Sequence, residues 1–315
     1  MIGTKILGFG GYQPDKVVTN DDLAKIVDTN DEWIRSRVGI QSRRVAGDDE
    51  TVADMAEAAG AKALAASGLE PSEVDLVIVA TCSPESPLPN VSATVAHRLG
   101  IPAPGAYDLN AACAGFCYGI GAASDSVRAG SARNVLVIGA EKMTSWIDWT
   151  DRSTCIIFAD GAGAAVVGQA GADERPGIGP VVWGSAGDLA QKITIEGRDG
   201  SLRQDGQSVF RWATSAIAPV ALEACRRAGV TPAEISAFVS HQANLRIVES
   251  IAKKLGIPRE RVADDIIQSG NTSSASIPLA LSRMAEQGRL QPGTPALLIG
   301  FGAGMCYASQ VITVP

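Results

Sequence analysis

The sequence predicts an α/β fold built from two similar halves, residues 1–172 and 173–315. Three observations predict it. Short apolar runs alternate with amphipathic stretches along the whole chain, the pattern of strands covered by helices. Several segments recur in the same order at a near-constant offset. The composition, 46% hydrophobic and 19% charged over 315 residues, supports a large buried core.

The repeat justifies the elements in turn. Residues 61–80, AKALAASGLEPSEVDLVIVA, and 221–240, ALEACRRAGVTPAEISAFVS, each read as a helix closed by glycine (Gly68, Gly229). A Pro-x-Glu turn follows in both (Pro71 and Glu73, Pro232 and Glu234), then a strand. The next helix ends in LGIP both times, at 99–102 and 255–258. NVLVIGAE at 134–141 matches PALLIGFG at 295–302, and a glycine-led strand closes each half, GAGAAVV from 161 and GAGMCYASQVI from 302. Gly68 and Gly229 lie 161 positions apart, Gly100 and Gly256 156, and Gly139 and Gly300 161. Four matches in one order indicate duplication. Like halves pack about a pseudo-twofold axis, and ligand sites favour such interfaces.

Composition excludes several functions. A net charge of −7 gives no basic footprint for general nucleic-acid binding. The six cysteines (82, 113, 117, 155, 225 and 306) form no CxxC pair and no metal-ligand spacing with histidine, so reduced thiols and no metal are expected. The first 20 residues hold too short an apolar run for a signal peptide. The last 20 are uncharged, but three glycines and alternating β-branched residues fit two buried strands joined by a glycine turn better than a membrane helix. A soluble, cytoplasmic protein is expected.

Within DLNAACAGFCYGI (108–120), Cys113 follows a strand and opens a helix rich in small residues. A helix N-terminus lowers a thiol pKa, and Ala111, Ala112, Ala114 and Gly115 leave room for a substrate chain. Cys117, Cys225 and Cys306 read as core. Local sequence leaves Cys113 as either a nucleophile or a small buried hydrophobe. At an offset of 158, position 113 answers to Asn271 in QSGNTSSASIP, placing both at related helix starts across the axis. Of the two histidines, His97 lies on a helix beside Arg98. His241 begins HQAN at a strand's C-terminal end, where open α/β sheets place their sites, in the half that carries Asn271.

AACAGF, HQANLRI and GNTSSAS resemble the Cys, His and Asn motifs of β-ketoacyl-acyl-carrier-protein synthase III, a condensing enzyme of the thiolase fold. The resemblance spans essentially the whole chain, including TNDEWIRSRVGI, TDRSTCIIFADGAGAAV and the closing GFGAG. It implies a layered α-β-α-β-α thiolase-like arrangement. Gly300 stands where thiolases carry a second catalytic cysteine, and Asn271 where elongating synthases carry a second histidine; chalcone-synthase relatives are longer.

The resemblance further implies a two-stage reaction with no cofactor, because the coenzyme A thioester is itself a substrate. Cys113 takes an acyl group from acyl-coenzyme A. His241 and Asn271 hydrogen-bond the thioester oxygen of malonyl-acyl-carrier protein as it decarboxylates. The backbone N–H of Ala303, together with that of Cys113, holds a second oxyanion; glycine is common at this position in relatives, so a left-handed backbone there would strain the alanine. Trp33 and Arg152 stack on the adenine, with Thr29 and Arg37 close by. Gly206, Phe210 and Asn244 line the pantetheine tunnel, and Arg211, Arg246, Lys253 and Lys254 dock the acidic carrier protein. Leu88 falls where a residue from a homodimer partner closes the acyl pocket, often phenylalanine in acetyl-restricted enzymes, so longer or branched starters are expected. Fatty-acid synthesis and polyketide priming share this chemistry. Two alternatives stay open: acyl transfer to another nucleophile, and a non-catalytic partner subunit of a synthase complex.

Overall fold

The computed structural model describes residues 2–197 and 200–315. Two sheets carry the fold. In the first, strands Thr4–Tyr12, Asp160–Gln169, Asn134–Lys142, Leu76–Ala80 and Gly105–Leu109 lie in that order. In the second the order is Val182–Ser185, Cys306–Thr313, Pro295–Gly302 and Ala237–Ser240. The pairings correspond: two antiparallel contacts and then a parallel one in each sheet. The first sheet's fifth strand pairs parallel with Leu76–Ala80. In the second sheet that strand is reduced to a single parallel bridge, Phe238 to Val262.

The helices correspond as well. Val52–Ser67 and Gly206–Ala228 end at Gly68 and Gly229, which take left-handed φ of 71° and 70°. The Pro-x-Glu turns form as expected, with Glu73 and Glu234 accepting the backbone N–H groups of Glu70 and Thr231. Thr51 and Asp54 close the start of the first helix with a reciprocal capping box.

Packing arranges these parts in five layers. Helices Gly115–Arg128 and Ser276–Glu286 share one core with both sheets, through Phe116, Ile120, Ile277 and Leu281 against Ile78, Val137, Val239 and Leu298. A second core joins the outer face of the first sheet to helices Val52–Ser67 and Val91–Arg98. A third joins the second sheet to Gly206–Ala228 and Leu245–Leu255. The result is α-β-α-β-α. A fourth cluster, with Leu23, Ile34, Ile40, Ile156 and Leu202, packs the segment around 20–45 over residues 143–158.

The duplication extends to the turns at the centre. The 3-10 turn Ala112–Ala114 precedes one middle helix and Ser273–Ala275 the other. Ala112 and Ser273, 161 positions apart, both hold positive φ, 46° and 51°. The structural partner of Cys113 is therefore Ser274, and Asn271 corresponds to Asn110. The offset of 158 expected from sequence is three residues short, because the repeat keeps the 161 spacing through the turn.

Each turn sits on a glycine of the other half's sheet. A Cβ at Gly139 would stand 2.4 Å from the Ser274 carbonyl oxygen, and one at Gly300 2.9 Å from the Ala114 Cα. Only glycine admits such an approach, and backbone cannot swing aside. Gly139→Ala is expected to cost on the order of 3 kcal/mol in urea unfolding. Gly187→Ala, with open space around it, should leave the unfolding midpoint unchanged.

The last strands are the two predicted, joined by the turn Ala303–Met305 and paired antiparallel. The second begins at Cys306, later than the expected start near 302. Among the described residues, no helix is long and apolar enough to cross a membrane.

Candidate active site

Cys113, His241 and Asn271 line one cavity of about 880 Å³. Each is delivered by a different local device. Cys113 sits in the strained turn after strand Gly105–Leu109, and its sulfur accepts a hydrogen bond from Ser273 Oγ at 3.4 Å. The backbone of Gly302 passes over it, close enough that a Cβ there would lie 2.8 Å from the sulfur. Ala303, next along, also lines the cavity. The anticipated strain is absent from Ala303, because the neighbouring Gly304 takes the positive φ of 121°.

Asn271 is held at both ends of its backbone: its N–H donates to Ile157 O and its carbonyl accepts from Ala159 N, each at 2.9 Å. Its side-chain Oδ1 accepts the Ser273 N–H at 2.8 Å. That bond fixes the amide, so Nδ2, with no partner among the described residues, is the donor left for the cavity.

His241 follows strand Ala237–Ser240 and donates its N–H to Ile299 O at 2.7 Å. Its ring meets Phe301 edge-on, with centroids 5.4 Å apart, and its Nδ1 lies 2.7 Å from Ser276 Oγ. Burial pushes its pKa down to about 3, so the imidazole is neutral near pH 7. The unfolded chain binds a proton below about pH 6.5 that the folded chain refuses, so stability falls as pH falls. This group alone should remove about 2 kcal/mol between pH 7 and pH 5. Unfolding of His241→Asn at both pH values should show a flatter dependence by that amount.

The expected activation of Cys113 by the helix is not seen. Burial, with the Glu141 carboxylate nearby, pushes its thiol up to about 12, against the lowering effect of the Ser273 hydroxyl. Cys113 is half-buried and lines the cavity.

Glu141 was not legible in sequence. It is fully buried at the end of strand Asn134–Lys142 and accepts hydrogen bonds from Thr81 Oγ1, Cys82 N and Ser83 Oγ. These bonds tie the loop after Leu76–Ala80 to the centre. Its only sequence signal is a carboxylate ending an apolar strand. Phe301 and the three serines 273, 274 and 276 were also missed as site residues, although all lie inside quoted motifs.

The other predicted residues divide. Trp33, Arg37, Gly206, Phe210, Asn244 and Arg246 line the same cavity. Arg152 lies 4.8 Å from the Trp33 ring centroid and donates to Asp28 O, and Arg37 lies 5.7 Å from that ring. Arg246 covers Phe210 at 5.2 Å. Asn244 caps helix Leu245–Leu255 and donates to Arg37 O. Thr29 lies outside the lining, its hydroxyl buried without a partner among the described residues. Arg211, Lys253 and Lys254 are exposed and lie outside the lining, and Lys254 donates to Thr214 O. Leu88 is 81% exposed and does not reach the cavity within one chain. Cys117 and Cys225 are buried as expected; Cys306 is only half-buried. Among the described residues, no three His, Cys, Asp or Glu side chains could hold a metal together.

Residues 107–187 match the family model of 3-oxoacyl-[acyl-carrier-protein (ACP)] synthase III, and residues 225–314 match its C-terminal model. A β-ketoacyl-[acyl-carrier-protein] synthase III of Streptomyces coelicolor is 54% identical over 99% of both chains. The chain belongs to this family. A mycobacterial family member from Mycobacterium avium is 46% identical over 98% of this chain and 95% of its own. Among solved structures, the priming β-ketosynthase of the R1128 polyketide pathway superposes with a TM-score of 0.96 at 43% identity, over 99% of this chain and 96% of that one. The family enzyme of Aquifex aeolicus gives 0.95 at 41%, over 99% and 100%. The fold is that of the thiolase-like family members, in agreement with the five layers described above.

Proposed function

We propose that this chain catalyses the initiating decarboxylative condensation of a short acyl-coenzyme A with malonyl-acyl-carrier protein. The observation that carries the reading is the convergence of Cys113, His241 and Asn271 on one cavity, with the Asn271 Nδ2 left as a free donor. In the first stage the Cys113 sulfur attacks the acyl carbonyl, the bond to coenzyme A sulfur breaks, and the thiol proton leaves on coenzyme A. The backbone N–H groups of Cys113 and Ala303 face the oxyanion formed. In the second stage the malonyl carboxylate departs as carbon dioxide, and its bonding electrons become an enolate. Neutral His241 and the Asn271 amide donate to that enolate oxygen. The enolate carbon attacks the acyl group, the carbon–sulfur bond to Cys113 breaks, and the thiolate takes a proton from solvent.

Trp33 with Arg152 and Arg37 forms the adenine clamp at the mouth, with Thr29 beside it. Gly206, Phe210 and Asn244 border the pantetheine path. Arg211, Arg246, Lys253 and Lys254 offer positive charge to an acidic carrier protein. The exposure of Leu88 supports a homodimer in which it reaches a partner's starter pocket. Soluble, cytoplasmic operation without a cofactor fits the same reading. The test is formation of a β-ketoacyl product from acyl-coenzyme A and malonyl-carrier protein, with Leu88→Phe compared on two-carbon and four-carbon starters. Leu88→Phe should slow butyryl transfer at least ~10-fold and leave acetyl transfer intact. A Leu88→Phe variant that kept full activity with four-carbon starters would remove Leu88 from the starter pocket.

A further inference from the structure

The serine that opens the second middle helix holds a position the reaction scheme does not use. Ser276 is 1% exposed, and its Oγ lies 2.7 Å from His241 Nδ1. The same oxygen accepts the backbone N–H of Gln242 at 3.3 Å. Gln242 cannot easily turn that N–H elsewhere: its side chain donates to Ser240 O and accepts from Ile266 N, and it is fully buried. Two arrangements of the proton between Ser276 and the ring are possible. If Nδ1 carried it, the Ser276 hydroxyl proton would have no acceptor among the described residues, a buried donor costing about 1–3 kcal/mol. If Ser276 donates to Nδ1, then Ser276, Nδ1 and the Gln242 N–H are all satisfied, and the ring proton resides on Nε2. Nε2 has no partner among the described residues and belongs to a ring that lines the cavity.

We infer that Ser276 is a positioning residue that locks His241 in the Nε2–H tautomer, so that the ring presents a donor to the enolate oxygen. Phe301 holds the ring plane; Ser276 sets its proton. The inference rests on the role of His241 proposed above. Asn271 is oriented by the same logic through its Oδ1 and the Ser273 N–H, so both donors are fixed by bonds from the turn and helix start between 273 and 276.

The test uses full-length protein labelled with ¹⁵N in the histidine rings. Only His97 and His241 contribute, and a His97→Gln variant assigns the signals. Wild-type His241 should show a protonated Nε2 and an unprotonated Nδ1. Ser276→Ala should lose that fixed state and slow malonyl decarboxylation at least ~100-fold, as a wrongly protonated catalytic imidazole does. Acyl transfer to Cys113, read by intact mass, should persist, which also shows that the variant is folded. Ser276→Thr, which keeps a hydroxyl, should restore the tautomer and most of the decarboxylation. A protonated Nδ1 in the wild type, or an Ala variant with unchanged tautomer and decarboxylation, overturns the inference. A correct tautomer combined with full decarboxylation by His241→Ala would instead overturn the role of His241 and leave the tautomer assignment standing.

Discussion

Cys113→Ala will form no acyl adduct with any acyl-coenzyme A, and condensation will fall by at least ~10³-fold. The wild type will gain the mass of one acyl group. The expectation rests on placement, since Cys113 is the thiol pressed between the Ser273 hydroxyl and the Gly302 backbone. Cys82 also lines the cavity, with its sulfur 3.3 Å from the buried Glu141 carboxylate, and that contact together with burial keeps it protonated. An adduct surviving in the Cys113→Ala protein would move the nucleophile to Cys82. Because the Cys113 thiol is itself pushed up to about 12, alkylation by iodoacetamide near pH 7 should be slower than for a free cysteine.

Asn271→Asp will separate the two half-reactions. The carboxylate can still accept the Ser273 N–H, so the local turn should survive. It cannot donate, and it sets negative charge beside the developing enolate. Loss of one such donor costs about 10²–10³ in turnover, and repulsion adds to it. Acylation of Cys113 should change little. Stopped-flow carbon dioxide release and intact mass measure the two steps on one sample; equal loss in both would remove Asn271 from the decarboxylation step.

Much of this was legible in the sequence, and the reasons are physical. Gly68 with Gly229, and Pro71 with Pro232, punctuate helices and turns through backbone conformations that few residues adopt, so the duplication shows in one chain. His241 was legible because a strand's end places it. The pairing of Cys113 with Asn271 missed by three residues, because the 161 spacing of Gly68 with Gly229 and Gly139 with Gly300 also holds through the turns at Ala112 and Ser273. The state of the Cys113 thiol was not legible. Helix position alone favours a thiolate, but desolvation and Glu141 arrive through tertiary packing. Leu88 could be aligned with a pocket residue, yet its exposure appears only when the loop is folded. Ser276 is one of several small polar residues in GNTSSAS, and only the 2.7 Å approach to His241 distinguishes it.

If both half-reactions occur at one cavity, a single turnover will couple them one to one. Enzyme acylated at Cys113 and freed of excess acyl-coenzyme A is mixed with carrier protein bearing a carboxyl-labelled malonyl group. One equivalent of labelled carbon dioxide should be released per acyl group lost from Cys113, with a β-ketoacyl-carrier protein formed in the same amount. Loss of the acyl group without carbon dioxide release, leaving the malonyl group intact, would show transfer to another nucleophile and rule out decarboxylative condensation at this cavity.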